Sequence, residues 1–244
     1  MARKRRKTGG IFILILLFII AVAVTLTTPV FNITSVTVTG NARLSAEEIL
    51  AVAGIPIGTN TYRVSMKHAE ERIEAMPYIL TADAGRRFPA KVVIQVTERE
   101  EAVAIECPGG YAVVDKQCRV LRLSAEEENI PVASGAQIQQ ATPGTDVIMR
   151  DERFTTDLKT IFSALETANL EVELGRIRLD SAVEVVLETK KGMEIHLGGM
   201  DELSYKLQLC RNILHGGHAG INKDSSGVLR WTSEGQFSYR QSKN

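Results

Sequence analysis

Hydrophobic and polar positions change rhythm several times along this chain. Residues 11–28, IFILILLFIIAVAVTLTT, carry no charge, glycine or proline. At 1.5 Å of rise per residue they extend about 27 Å, close to the roughly 30 Å hydrocarbon layer, so they predict a membrane-crossing helix. Phe31, Ile33, Val36 and Val38 then read as a short strand ending at Gly40-Asn41, a turn dipeptide. Ser45-Ala46-Glu47-Glu48 is a capping box: the serine caps early N–H groups while Glu48 reaches back. Ile49, Leu50, Val52 and Ala53 supply the buried face of that helix, and Gly54 stops it. SMKHAEERIEAM puts Met66, Ala69, Ile73 and Met76 on one face of a second helix before Pro77. YILTADAGRRF and KVVIQVTE are two strands separated by Pro89. The order β-α-α-β-β describes a compact α+β unit.

Beyond Glu98 the pattern changes. AVAIEC, YAVVD and RVLRL are short strands joined by PGG and KQ, a β-meander. NIPVASGAQIQQATPGTDV predicts a strand plus loop, and TTDLKTIFSALETA a helix with Leu158, Ile161, Phe162 and Leu165 on one face. RIRLD, VEVVLET and MEIHLGG are further strands. A helix then carries Leu203, Leu207, Cys210 and Leu214 at i, i+4, i+7 and i+11. Two or three final strands and a polar tail complete a β-rich domain with two helices on its sheet.

Charge sets the orientation of the first helix. Arg3, Lys4, Arg5, Arg6 and Lys7 precede it without an acidic residue, which keeps the tip cytoplasmic and places residues 30–244 outside. The rival reading is a cleaved signal peptide, with Ala21-Val22-Ala23 as a small-x-small site. Apolar residues continue past that site through Val24 and Leu26, which favours an uncleaved anchor. The formal net charge of zero hides an asymmetry: without the tip, 24 basic residues face 29 acidic ones. A net of about −5 with no basic patch argues against nucleic acid as a partner.

Catalytic chemistry finds little support. His215-Gly216-Gly217-His218 follows Cys210 without a carboxylate or second cysteine to complete a tetrahedral set, so no metal or other cofactor is expected. His68 sits among Lys67, Glu70 and Glu71 on a solvated face. His196 alternates with Ile195 and Leu197, which places it on the wet face of a strand. Glu98, Glu100 and Glu101 resemble a carboxylate pair but fit a solvated linker. No G-x-S-x-G elbow, S-x-x-K or Walker loop is present, so no enzyme and no small-molecule substrate are expected. Cys107 and Cys118 flank a strand of the meander and are predicted to stand about 15 Å apart, beyond disulfide reach. Trp231, the only tryptophan, with Phe237 and Tyr239, closes the β-rich domain. These residues suit a last strand packed into its own sheet, or an edge strand that accepts a partner strand beside aromatic anchors. Both can hold together.

The chain resembles the bacterial divisome proteins FtsQ and DivIB over nearly its whole length. The resemblance is carried by the basic tip and single span, F-x-I-x-x-V-x-V-x-G-N at Phe31 to Asn41, LSAEEI, AGIPIGTN, RRFPAKVVIQVTER, LETKKGMEIHLGG and KLQLCRNIL. It implies a cytoplasmic tip at 1–10, a transmembrane helix at 11–28, a POTRA domain at 29–99 and a β domain at 100–244. It also implies a non-enzymatic scaffold in the cell membrane at the division septum, required for septum formation and cell wall assembly. Partners would be the single-span coiled-coil proteins FtsL and FtsB/DivIC, captured by β-strand addition at the C-terminal edge of the β domain. On this chain that points to Gly235–Arg240 with the neighbouring Leu229–Trp231, and to Leu229, Arg230, Trp231, Gln236, Phe237, Ser238, Tyr239 and Arg240 as partner-binding residues. The POTRA domain would be a second protein-binding surface. Competing readings are a POTRA-bearing secretion or transport component and a membrane-anchored envelope enzyme.

Overall fold

The computed structural model describes residues 5–26, 28–127, 129–135, 137–170, 174–181, 184–216, 220–222 and 224–241. The chain divides into two compact units, Met1–Arg99 and Glu100–Asn244.

The first unit opens with helix α1 (Arg5–Leu26). Its described large apolar side chains, from Ile11 to Val24, are all exposed. Among the described residues no helix is long and apolar enough to cross a membrane. The expected 11–28 span is corrected to a helix that ends at Leu26. The cause is Pro29, which drives Thr28 into an extended conformation (φ −68°, ψ 153°) and starts a 3-10 turn at Pro29–Phe31. Arg3 and Lys4 of the basic tip lie outside the described residues.

A three-stranded sheet follows, built from β1 (Ser35–Thr39), β2 (Ile79–Arg87) and β3 (Lys91–Glu98) in the order β1-β3-β2. β1 runs parallel to β3, and β2 antiparallel to it. Phe31 and Ile33 precede the strand proper but are buried, so their apolar character marks core rather than strand. Helix α2 (Ala46–Ala53) carries the predicted box: Ser45 Oγ accepts from Glu48 N–H, and Glu48 accepts from Ser45 N–H at 2.8 Å. Gly54 ends it in the left-handed region (φ 59°). Ile49 and Ala53 are buried, whereas Val52 lies on the outer face, off the expected apolar stripe. Helix α3 (Met66–Glu74) buries Met66, Ala69 and Ile73. The core joins them to Ile33, Ile79, Val92, Ile94 and Val96. Each such aliphatic side chain contributes about 1.5–3 kcal/mol on burial.

The second unit is a nine-stranded mixed sheet with two helices. Its strands are β4 (Val103–Cys107), β5 (Gly110–Val114), β6 (Val120–Ser124), β7 (Val132–Ser134), β10 (Leu174–Ser181), β11 (Glu184–Thr189), β12 (Met193–Gly198), β13 (Gly227–Trp231) and β14 (Phe237–Gln241). They stand in the order β14-β13-β12-β11-β10-β7-β4-β5-β6. A separate two-stranded pair, β8 (Ile138–Gln140) and β9 (Ile148–Met149), occupies part of the expected loop. Helices α4 (Glu152–Ala168) and α5 (Leu203–Gly216) share one apolar cluster with the sheet. Leu158, Ile161 and Phe162 of α4 and Leu203, Leu207, Cys210 and Leu214 of α5 are buried there, on the predicted faces. Together the two units form an α+β protein.

Cys107, Cys118 and Cys210 are free thiols. Burial pushes the Cys118 thiol up to about 11 and that of Cys210 up to about 12, so neither is a ready nucleophile. Of the acidic run at the boundary only Glu100 is exposed, and Glu98 and Glu101 are bound rather than solvated. Glu98 accepts the N–H groups of Arg43 (2.8 Å) and Leu44 (3.0 Å), and Glu101 takes a fork from Arg122 at 2.8 and 3.2 Å. Folding brings those donors in from more than twenty residues away in sequence, where no local pattern reveals them.

Candidate partner-binding edge

β13 and β14 form a hairpin in the register Gly227↔Gln241, Val228↔Arg240, Leu229↔Tyr239, Arg230↔Ser238 and Trp231↔Phe237. The turn between them is closed by Thr232 N–H to Gln236 O (3.0 Å), Gly235 N–H to Thr232 O (3.1 Å) and Thr232 Oγ1 to Gln236 O (2.9 Å). Gly235 and Gln236 therefore belong to the turn, and the strand starts at Phe237, two residues into the predicted Gly235–Arg240 segment. Gly227 (φ 141°) makes the close pairing possible. A Cβ there would stand 2.5 Å from Arg240 O and 3.0 Å from Tyr239 Cε2.

Two-residue alternation sorts the predicted residues onto two faces. Leu229 is buried, and Phe237 and Tyr239 pack against the same core. Tyr239 Oη also donates to Ser226 O at 2.8 Å. Trp231 shares that face: its ring lies 5.2 Å from Phe237 and 6.2 Å from Tyr205, both edge-on. Arg230, Ser238 and Arg240 occupy the opposite face with Val228, lining a shallow groove with Glu194 and His196. The structure thus brings seven of the eight predicted residues onto one hairpin and the eighth into its turn.

Both readings of the aromatic tail meet here. β13 is enclosed between β12 and β14, while β14 is the terminal strand of the sheet. Its outer side pairs with no strand among the described residues. The opposite end of the sheet differs. There the residues around β6 bond to the 142–147 loop, through Val120 N–H to Thr145 O (2.8 Å), Gly144 N–H to Val120 O (2.8 Å) and Val147 N–H to Cys118 O (3.0 Å). Cover of that kind is a common way to blunt an edge, and β14 lacks it among the described residues.

Two features beside the hairpin had no sequence signal. Lys206 on α5 is only 1% exposed. Its Nζ donates to Gly199 O (3.0 Å) and Asp201 Oδ2 (3.3 Å) and lies 5.9 Å from the Trp231 ring centre. Both acceptors lie in the loop before the helix. His196 also departs from expectation. It does point away from the core, but its side chain is just 12% exposed. Nδ1 stands 2.6 Å from Glu184 Oε1 and Nε2 3.2 Å from Glu194 Oε2. Arg230 and Arg178 reach the same carboxylate oxygens, Arg230 to Glu184 Oε1 at 3.6 Å and Arg178 to Glu194 Oε2 at 3.3 Å. The His196 hydrogen bond, reinforced by the arginine charges and opposed only by slight burial, holds the Glu184 carboxyl below its ordinary value.

This cluster is a ladder of paired charges on a sheet face, since its carboxylates flank opposite ring nitrogens rather than converge. Among the described residues no group of three or more His, Cys, Asp or Glu could hold a metal ion. His218 lies outside the described residues, and His215 is exposed at the end of α5.

Comparison with known proteins agrees with this architecture. The family model for the FtsQ-type POTRA domain matches residues 31–99. The cell division protein DivIB of Clostridium botulinum (strain Hall) is 26% identical over 216 residues, covering 87% of this chain and 84% of that protein. The cell division protein FtsQ of Corynebacterium glutamicum is 22% identical over 71% of this chain and 74% of its own length. For the FtsQ of Myxococcus fulvus the values are 26%, 75% and 64%. The matched FtsQ-type POTRA domain and these relatives, aligned over 71–87% of this chain, support its assignment to the FtsQ/DivIB cell division proteins.

Proposed function

We propose that the protein is a non-enzymatic scaffold of the division septum, anchored in the cell membrane by α1, with both folded units on the extracytoplasmic side. Its β domain captures single-span coiled-coil partners of the FtsL and FtsB/DivIC type by strand addition to β14. The observation that carries this reading is the uncovered outer edge of β14, a row of backbone donors and acceptors at the end of a nine-stranded sheet. Backbone pairing would supply affinity. Ser238 and Arg240 on one face, with Phe237 and Tyr239 on the other, would read alternate side chains of the partner strand.

The anchor reading is supported by the uncharged run from Ile11 to Leu26, apolar except for Thr25, and the basic residues before it. In the POTRA domain, strand pairing with a second partner falls to β1, since α3 carboxylates already occupy the outer edge of β2.

The test is a photo-crosslinker placed singly from 225 to 241 in dividing cells. Ser238 and Arg240 are expected to give the strongest crosslinks to a single-span coiled-coil division protein. Absence of any division partner along the whole scan would sink the assignment.

A further inference from the structure

Three segments of the POTRA domain meet at one end of its sheet. β1 and β3 are parallel, with Ser35 opposite Lys91. The segment leading from α1 into β1 and the turn leading into β3 therefore share an end. The 57–62 loop joins them: Ile33 N–H donates to Thr59 O (2.9 Å) and Gly58 N–H to Ile33 O (2.8 Å). Phe31 stacks edge-on with Tyr62 at 5.6 Å and with Phe88 at 5.9 Å.

Around this buried ring, large apolar side chains face outward. Val30 is 61% exposed, Ile57 68%, Tyr62 54% and Phe88 81%. Exposed apolar side chains scattered singly need no explanation, but a cluster at one end of a small domain does. The charge there is also one-sided. Segments 29–34, 55–66 and 84–92 contain Arg63, Arg86, Arg87 and Lys91 and no acidic residue, in a chain whose outer part is net acidic. Arg86 is fixed in place by donating to Thr61 O (3.1 Å) and Val64 O (2.9 Å).

Position completes the argument. Phe31 follows Leu26, the last residue of α1, by five positions. A chain that short extends at most about 18 Å, so the patch cannot stray far from the end of the helix. Aromatic and aliphatic groups mixed with lysine and arginine are the composition of a bilayer–water interface.

We infer that this end of the POTRA domain is a membrane-surface contact. Val30, Ile57, Tyr62 and Phe88 enter the headgroup region of the outer leaflet, and Arg63, Arg86, Arg87 and Lys91 lie among anionic lipid phosphates. The inference rests on the reading of α1 as an anchor. Its consequence is mechanical: a second attachment beside the helix removes the freedom of the domain to swing on its tether.

The test uses the full chain reconstituted into vesicles of phosphatidylglycerol and acyl-brominated phosphatidylcholine, whose bromine atoms quench tryptophan at membrane depth. Separate Phe18→Trp, Phe88→Trp, Ile57→Trp and Leu80→Trp variants report the helix, the patch twice and an exposed control on β2. The unmodified chain's Trp231 sets the baseline. Phe88→Trp and Ile57→Trp are expected to lose emission as the brominated fraction rises, less than Phe18→Trp and more than Leu80→Trp. Loss at Phe18→Trp with none at either patch position overturns the membrane contact and leaves the anchor standing. No loss at Phe18→Trp overturns the anchor instead, whereas loss at the patch without it keeps the contact and removes the span. Equal loss at Leu80→Trp also overturns the inference. So does a Phe88→Trp signal that resists bromine yet is shielded from aqueous acrylamide, which would mean a protein covers the patch.

Discussion

The outer edges of β2 and β14 make an instructive pair, since each is a terminal strand of its sheet. On β2 the outward N–H groups of Ala82 and Ala84 already donate to Glu74 Oε1 (3.0 Å) and Glu70 Oε1 (2.8 Å) of α3. A neighbouring helix thereby supplies the acceptors that a partner strand would otherwise provide. No comparable side-chain cover is seen on β14 among the described residues, and its inward face is anchored by Phe237 and Tyr239, beside Leu229 of β13. One edge is closed by carboxylates from its own domain, and the other is rigid and open. A strand at a sheet terminus is thus not by itself a docking site; what already occupies its backbone groups decides that.

Breaking the open edge should give the largest effect. Gly227→Ala places a methyl against Arg240 O in a backbone region that L side chains rarely adopt. It is expected to cost the β domain about 1–3 kcal/mol and to abolish partner capture at β14. Separate melting of the two units and a partner pull-down would check this, and unchanged capture would show that β14 is not the docking strand. The closed edge should respond less, since partner capture at β14 stays intact. Glu70→Ala with Glu74→Ala removes two acceptors from β2 and is expected to destabilise the POTRA domain by about 1–3 kcal/mol in all. It should also raise self-association at high concentration, read by sedimentation; a strictly monomeric variant would mean that the carboxylates do not guard the edge.

The smallest effect concerns pH. The Glu184 carboxyl is held below its ordinary value of 4.5, so its stabilising pairing is present above that value. It is lost as pH falls through the lowered folded-state value, where the group takes up a proton. Glu184→Gln should lower the melting temperature of the β domain slightly at neutral pH, with the difference shrinking below about pH 4.5 and gone below the lowered folded-state value. A gap that persists in acid would assign the loss to packing rather than charge.

Much of this fold was legible in short-range patterns. The Ser45–Glu48 box and the Gly54 stop are interactions within one helical turn, and both form as read. Leu203, Leu207, Cys210 and Leu214 sit on one stripe because helical geometry alone puts them there. The aromatic tail likewise marked the hairpin, with Gly235 and Gln236 falling in its turn rather than on the strand. Misreadings gathered where a polar residue's partner lies on another element: His196 with Glu184, and Glu101 with Arg122. The missed aromatic–basic end of the POTRA domain is of the same kind, assembled from Val30, Ile57, Tyr62 and Phe88 on three separate segments.

Local rules settled the helix caps, the strand alternation and the apolar first helix. These depend on residues a few positions apart, whose spacing is set by backbone geometry before any tertiary contact forms. Which polar groups are buried, which sheet edge is closed and which apolar residues are left in water depend on packing between distant elements. Hydrogen bonding and burial act through space, so the carboxylates over β2 and the bare edge of β14 became distinguishable only once the sheets were assembled.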